Sequence, residues 1–181
     1  LDVHRLLEAH GLVHALGGAL ALNVYADPRA TRDIDVSIFV PWPERSAVVS
    51  IFEEIGFHPE SDVERAVPVE GIRLVHPDEP YLIDLFFALD EVYDRFRERI
   101  AWHRINSAGD RLPFLSAEDV VVFKITFNRA KDWVDISSIV RAGVPLDLDY
   151  IEDTLVALRG PGIYKGVAKL RAVVKAQGDL R

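Results

Sequence analysis

A glycine turn followed by a strand with two acids is the feature that most constrains this chain. Gly17 and Gly18 feed a predicted helix, and Asp33 and Asp35 open a strand predicted over residues 33–40. Alternation along a strand points both carboxylates the same way, where they repel by roughly 4 kcal/mol at an effective dielectric near 20. Mg²⁺ held by one or two carboxylates plus substrate phosphates is a common compensation. The pattern therefore predicts phosphoryl-group chemistry.

The order of predicted elements indicates a mixed α/β (α+β) protein. Helices and strands are mixed as far as residue 115, and every element predicted beyond Ser116 is helical. The predicted strands cover residues 12–16, 33–40, 65–69, 72–76, 81–88, 102–106 and 111–115. We therefore expect an α/β core with a mixed β-sheet flanked by helices over residues 1–115. A helical cap over residues 116–181 would pack on that core.

A third acid, Asp84, is the lone acid of the apolar strand over residues 81–88. Each part of this constellation suits nucleotidyl transfer. Glycines at a helix N-terminus let backbone N–H groups approach a triphosphate, and the helix dipole favours the anion. Asp33 and Asp35 would hold Mg²⁺ against the phosphates. Asp84 would complete the metal site and accept a proton from the attacking hydroxyl.

These residues resemble the polymerase-beta-like nucleotidyltransferase superfamily and, within it, the abortive-infection branch related to AbiEii toxins. The match runs through Gly17, Gly18, Arg29, Thr31, Asp33, Asp35, Ser116, Glu118, Asp119, Lys124, Arg129, Lys131, Asp132 and Asp135. The resemblance implies that Lys124 contacts nucleotide phosphates and that Asp132 or Asp135 lies near the active site. Thr31 and Arg32 are expected to orient the turn or the phosphates. Many members have a serine where this chain has Gly18, whose backbone N–H can replace that hydroxyl.

The activity that the resemblance implies is Mg²⁺-dependent transfer of a nucleoside monophosphate from an NTP to a hydroxyl acceptor. The acceptor stays open between an RNA such as tRNA and a small molecule. A toxin of this branch would have an antitoxin protein as partner. An antibiotic-modifying transferase is an alternative, because acids between the second and third site acids would suit a cationic substrate. These acids are Glu60, Asp62, Glu64, Glu70, Asp78 and Glu79. A degenerate domain that binds nucleotide without catalysis is the other alternative.

Composition excludes several other classes of protein. The chain has no cysteine, so disulfides, thiolate metal sites and thiol nucleophiles are excluded. No run of about 18 apolar residues and no secretory signal is present, and we expect a cytoplasmic protein without a membrane partner. The net charge of −8 argues against non-specific coating of nucleic acid. Six basic residues between Arg159 and Arg181 could nevertheless meet an RNA locally.

Overall fold

A computed structural model describes residues 1–178 of the chain; residues 179–181, the end of the predicted helical cap and of its basic segment, lie outside the described residues. The strands are β1 (His14–Leu16), β2 (Asp33–Pro41), β3 (His58–Pro59), β4 (Ile72–Val75), β5 (Leu82–Ala88), β6 (Ala101–Arg104) and β7 (Arg111–Phe114). The helices are α1 (Asp2–Ala9), α2 (Gly18–Tyr25), α3 (Arg45–Glu53), α4 (Val92–Glu98), α5 (Ala117–Phe127), α6 (Ala130–Ala142), α7 (Leu148–Arg159) and α8 (Tyr164–Gly178).

The described chain divides into two compact units. The first, called the core unit here, consists of residues 1–20 and 30–115. The second, called the helical unit, consists of residues 21–29 and the described residues from 116 onward. The chain therefore leaves the core unit after the first turn of α2 and returns to it just before β2.

The core unit contains one seven-stranded sheet in the order β3-β4-β5-β2-β1-β7-β6. The pairs β2–β5 and β1–β7 are parallel, and the remaining pairs are antiparallel. The predicted α/β class with a mixed sheet is therefore confirmed. The two long strands, β2 and β5, lie side by side in the middle of the sheet, which gives them the most neighbours for burying an apolar face.

The two faces of the central strand β5 differ in burial. On β5, Ile83, Leu85 and Phe87 are buried on one face, while the alternate residues remain partly accessible. Fully buried side chains from three helices add to the apolar core of this unit, namely Leu7 of α1, Phe52 of α3 and Phe96 of α4. Burial of each such side chain stabilises the fold by about 1.5–3 kcal/mol. The half-open alternate face carries the acids discussed below.

The predicted strand over residues 65–69 is wrong. Residues Val63–Arg65 form a single 3₁₀ turn, and residues 66–71 are not extended in a ladder. Pro68 has no N–H for such a ladder, and a turn closes from the Glu70 N–H to the Val67 carbonyl at 2.9 Å. The short β3 instead occupies the edge position beside β4.

The helical unit owes its helix boundaries to local capping. The Ser116 hydroxyl accepts a hydrogen bond from the Asp119 N–H at 3.2 Å, which caps the first turn of α5. Gly143 ends α6 in the left-handed region at φ 76°, as glycine there allows. The longest helix described, α8, has 15 residues. Within residues 1–178, no helix combines the length and apolar character required to cross a bilayer.

Candidate active site

The Gly17–Gly18 turn brings the backbone directly against a carboxylate. Gly17 donates its N–H to the Asp35 carbonyl at 2.8 Å as the chain leaves β1. Gly18 then opens α2 with φ +52°, and a Cβ atom placed there would overlap the Asp35 carboxylate. Only glycine combines this positive φ with such a close approach. The second glycine of the turn is therefore required by the position of Asp35.

Three acids share the half-open face of the sheet. Asp33 and Asp35 lie on β2, and the parallel register places Asp35 directly beside Asp84 of β5. Register partners on neighbouring strands point to the same face, and residues two apart on one strand do the same. The structure therefore brings together Asp33, Asp35 and Asp84 as the sequence predicted, beside the Gly17–Gly18 turn.

The segment before β2 is fixed by local hydrogen bonds. The Thr31 hydroxyl accepts from the Asp33 N–H at 3.1 Å and lies 3.2 Å from the Asp33 carbonyl, to which it donates. The carbonyl of Arg32 accepts from the Leu82 N–H at 2.9 Å, and the Arg32 side chain is exposed. Thr31 therefore sets the backbone that presents Asp33, whereas Arg32 contributes its backbone to strand pairing.

Arg73 of β4 is a site residue that the sequence analysis missed. Its Nε donates to Asp84 Oδ1 at 2.8 Å and its Nη2 to Oδ2 at 2.7 Å, so the guanidinium fork takes both oxygens. The pKa of Arg73 is raised above its ordinary value, first by these hydrogen bonds. The charges of Asp84, Asp33 and Glu60 raise it further, against the opposing effect of burial. Arg73 therefore stays charged beside the acids.

The donor set of this face fits a hard divalent cation. Carboxylate oxygens are the ligands that Mg²⁺ prefers, and Mg²⁺ commonly takes one or two of them together with phosphates. Asp35 and Asp84 are register neighbours with Asp33 on the same face. Within residues 1–178, no group of three or more acidic or histidine side chains is already arranged as a metal cage. A cation at this face would therefore draw its remaining ligands from substrate phosphates and water.

The helical unit contains a second group of charged residues, which is buried. Lys124 of α5 is 7% exposed, and its Nζ lies 2.6 Å from Asp135 Oδ2 and 4.0 Å from Asp132 Oδ1. Arg29 reaches the same Asp135 oxygen at 3.2 Å. Buried charges persist only when paired and hydrogen-bonded, because desolvation of a single ion costs several kcal/mol. Lys124, Asp132 and Asp135 are thus brought together as internal ion pairs.

Asp132 is the most enclosed acid of this cluster. The Arg129 side chain donates to both of its oxygens, at 2.8 and 3.1 Å, and the Arg129 N–H donates at 2.9 Å. Burial alone would raise the pKa of Asp132. The Arg129 hydrogen bonds, with the charges of Arg129 and Lys124, outweigh burial and lower the pKa below its ordinary value. Arg129, at the start of the same helix, and Lys124 therefore keep the Asp132 carboxylate ionised.

The predicted site residues thus form two groups, one in each compact unit. The core unit holds Gly17, Gly18, Thr31, Arg32, Asp33, Asp35 and Asp84, and the helical unit holds Lys124, Asp132 and Asp135. Arg73 could have been found from sequence only by knowing that β4 pairs antiparallel with β5 in the register that sets Arg73 opposite Asp84. Arg29 stands within the matching motifs, but its contact with Asp135 was not predicted.

Solved structures of nucleotidyltransferases share this fold. The crystal structure of the lincosamide antibiotic adenylyltransferase LnuA with lincomycin bound superposes with a TM-score of 0.54 at 17% identity, covering 76% of this chain and 92% of that one. The crystal structure of ANT(2'')-Ia in complex with adenylyl-2''-tobramycin superposes with a TM-score of 0.51 at 15% identity, covering 93% of this chain and 92% of that one. The crystal structure of an antigenic nucleotidyltransferase-like protein from Paracoccidioides brasiliensis superposes with a TM-score of 0.53 at 18% identity, covering 92% of this chain and 89% of that one. At these identities the likeness shows the fold.

The family is shown by a match along most of the sequence. A comparison with curated proteins finds no match. The family model described as "Nucleotidyl transferase AbiEii toxin, Type IV TA system" matches residues 5–167, a span that includes every residue predicted for the site. The chain therefore belongs to the AbiEii family of nucleotidyl transferase toxins from type IV toxin–antitoxin systems, and the predicted nucleotidyltransferase class is confirmed.

Proposed function

We propose that this nucleotidyltransferase moves a nucleoside monophosphate from an NTP to a hydroxyl group of an RNA such as tRNA, with Mg²⁺ held by Asp33, Asp35 and Asp84. The observation that carries the proposal is the register of Asp35 beside Asp84, with the Gly18 backbone against the Asp35 carboxylate. A face built in this way offers oxygen ligands next to a helix N-terminus that suits phosphate.

In the proposed reaction, the acceptor oxygen attacks the α-phosphorus of the NTP. A bond forms between that oxygen and phosphorus, the bond from the α-phosphorus to the leaving oxygen breaks, and pyrophosphate departs. A bound Mg²⁺ would supply neutralisation of the charge that develops on the phosphates. The Gly17 N–H is bound to the Asp35 carbonyl, so Gly17 would shape the turn while the Gly18 backbone N–H would hold a phosphate oxygen. The Asp84 carboxylate would take the proton of the acceptor hydroxyl.

The roles proposed in the helical unit follow from its charges. Lys124 would steady the triphosphate, as the family resemblance implies, but its Nζ is bound to Asp135. Phosphate oxygens would therefore have to share or replace the Asp135 carboxylate as the partner of this lysine. Asp132 and Asp135 are proposed to position Lys124, which requires no contact of their own with the nucleotide.

RNA is favoured over a cationic antibiotic by what the acidic segment does in the structure. Glu64 accepts from Arg45 and from the Ser46 hydroxyl, both at 2.7 Å, and Asp62 accepts from the Glu64 N–H at 3.0 Å. Two of the six acids are therefore already engaged, Glu64 with the start of α3 and Asp62 within its own turn. A toxin role for this chain, as in its family, implies an antitoxin protein as its partner.

The basic segment near the C-terminus gives weaker support for an RNA partner. Arg171 is bound to Asp149 and Glu152, at 3.0 and 2.7 Å, and Lys169 lies over the Trp133 ring at 3.8 Å. Arg181 lies outside the described residues. Two of the basic side chains thus stabilise the helical unit, so the proposal does not depend on this segment.

The test is transfer of label from each α-labelled NTP in the presence of Mg²⁺. Parallel reactions offer total tRNA, an aminoglycoside panel and a lincosamide panel, each with wild-type protein and Asp35→Asn. Label on tRNA that disappears in Asp35→Asn is the expected result. Label on an antibiotic would establish the antibiotic-modifying alternative. A lack of label on every acceptor, while the protein still binds NTP, would establish the domain that binds nucleotide without catalysis.

A further inference from the structure

The sheet face of the proposed site carries a row of one cation and two acids across three strands. Arg73 of β4 lies opposite Asp84 of β5, which lies beside Asp35 of β2. Arg73 binds Asp84 through two hydrogen bonds of 2.8 and 2.7 Å. The Asp84 carboxylate therefore has a cation on each side: the permanent charge of Arg73 on β4, and the proposed Mg²⁺ on the side of β2.

Arg73 and a divalent cation would draw on the same two oxygens. A guanidinium fork is planar, matches a carboxylate in two-point contact and does not lose its charge. Mg²⁺ requires short, well-directed bonds of about 2.0–2.1 Å to oxygen and tolerates little displacement of its ligands. Each cation at Asp84 therefore repels the other and restrains the orientation that the other needs.

The burial of the pair allows this competition to be resolved by movement of Arg73. The Arg73 side chain is 42% exposed and the Asp84 side chain only 14% exposed. The exposed part of the Arg73 side chain lets water replace Asp84 as its partner, although the two-point contact makes this pair stronger than an ordinary surface ion pair. Asp84, by contrast, is held on its strand. The mobile partner of the pair is therefore the cation.

We propose that Arg73 is a positioning residue that acts as an internal counter-ion of Asp84 and competes with the divalent cation for its carboxylate. The inference rests on the proposed function, in which Asp84 belongs to the metal site. Arg73 stabilises the clustered acids when no divalent cation is bound and lowers the affinity of the sheet face for a free divalent cation. Nucleotide phosphates, which add negative charge, then favour the occupied state.

The experiment measures Mn²⁺ binding to the protein without nucleotide, from the electron paramagnetic resonance signal of free Mn²⁺. We expect Arg73→Gln to bind Mn²⁺ about 5- to 10-fold more tightly than wild type, because a neighbouring positive charge is removed. Arg73→Lys keeps the charge but loses the fork, and its affinity should lie between the two. Arg104→Gln removes one positive charge from β6 of the same unit and should change the affinity by less than about twofold.

The same titration in an Asp84→Asn background separates competition from a general charge effect. Without the Asp84 carboxylate, adding Arg73→Gln should no longer tighten Mn²⁺ binding. An equal gain in both backgrounds would overturn the proposal, as would unchanged or weaker binding in Arg73→Gln or a lack of binding in every variant. Far-ultraviolet circular dichroism and urea midpoints identify variants that have lost the fold. If Arg73→Gln is one of them, the Mn²⁺ affinity of Arg73→Lys is compared with that of wild type instead.

Failure of this proposal can be told from failure of the proposed function. Label transfer is measured on the same samples. Transfer to tRNA with unchanged Mn²⁺ affinity in Arg73→Gln would overturn the role of Arg73 alone. Tighter Mn²⁺ binding in Arg73→Gln without transfer by wild type would support the counter-ion and reject the proposed function.

Discussion

The acids of the two charged groups differ in burial and in the number of cations that surround them. On the sheet face of the core unit, Asp33, Asp35 and Asp84 lie side by side, and an arginine fork holds the last of them. In the helical unit, Asp132 and Asp135 are 0% and 5% exposed. Cations that the chain itself supplies, Lys124, Arg129 and Arg29, surround these two acids.

This difference teaches how charge can be divided between folding and function. Acids that are matched by permanent cations can be buried, and removal of either partner leaves an uncompensated charge. Acids that lie together on a half-open face repel one another, and a cation from solution can bind there and reduce that repulsion. We therefore expect substitutions in the helical unit to act mainly on stability and substitutions on the sheet face to act mainly on transfer.

The largest effect on transfer is expected for Asp35→Asn. Loss of a carboxylate ligand removes several kcal/mol of charge stabilisation, so transfer per folded molecule should fall by about 10²- to 10³-fold or more. The free energy of unfolding should change by no more than about 1 kcal/mol, since a repulsion is also removed. Asp94→Asn, at an exposed position of α4, is the matched control. Near-normal turnover by Asp35→Asn would contradict the assignment.

The largest effect on stability is expected for Asp132→Asn. The neutral side chain leaves Arg129 and Lys124 without the charge that they surround, which should lower the free energy of unfolding by about 3–5 kcal/mol. Asp149→Asn is the control, because that side chain is 89% exposed and its pair with Arg171 is worth about 0–1 kcal/mol. Urea unfolding measures both variants. Equal midpoints for the two would show that the buried cluster is not what holds the helical unit together.

A smaller loss, divided between stability and transfer, is expected for Gly18→Ala. Its Cβ would overlap the Asp35 carboxylate, and the positive φ adds strain of about 1–2 kcal/mol. Gly11→Ala shares the positive φ of +67° but meets nothing within 4 Å, so it isolates the backbone strain. Both variants should lose similar stability from φ, whereas only Gly18→Ala should also lose transfer. Equal transfer by the two alanine variants would argue against the close approach of Gly18 to Asp35.

The smallest effect is a pH dependence of the Asp132 cluster. The pKa of Asp132 is lowered in the folded protein from the ordinary value of 3.8, so the unfolded chain binds the proton first. The stabilisation by this group is therefore complete above about pH 4 and is lost as the pH falls through the lower folded pKa. The gap in unfolding free energy between wild type and Asp132→Asn should narrow between about pH 7 and about pH 3. A gap that widens towards acid would contradict this sign.

The fold and the acids of the sheet face could be predicted because their signals are local. The two-residue spacing of Asp33 and Asp35 makes them point the same way, and the apolar context of β5 marks Asp84 as an exceptional acid on its strand. The start of α5 follows from Ser116 alone. These features depend on residues within a few positions of one another along the chain, which is the range over which periodicity and capping operate.

The basic partners of the acids in both groups could not be predicted, because these contacts depend on strand register and on segments far apart in the sequence. Arg73 meets Asp84 only through the antiparallel alignment of β4 with β5. Arg29 meets Asp135 across 106 positions of sequence. The false strand over residues 65–69 had the apolar content of a ladder, yet Pro68 and a turn from Val67 to Glu70 prevented it. Composition also gives no sign of which charged residues will be buried.

The most direct test of the central claim is to map where a divalent cation binds. Fe²⁺ substituted for Mg²⁺ in the presence of ascorbate cleaves the backbone next to its ligands, and the fragments can be identified by mass spectrometry. We predict fragments that end near residues 17–18, 33–35 and 84 in wild type and disappear in Asp35→Asn. Cleavage confined to residues 124–135, with none in the three segments of the core unit, would contradict the assignment of the metal to the sheet face.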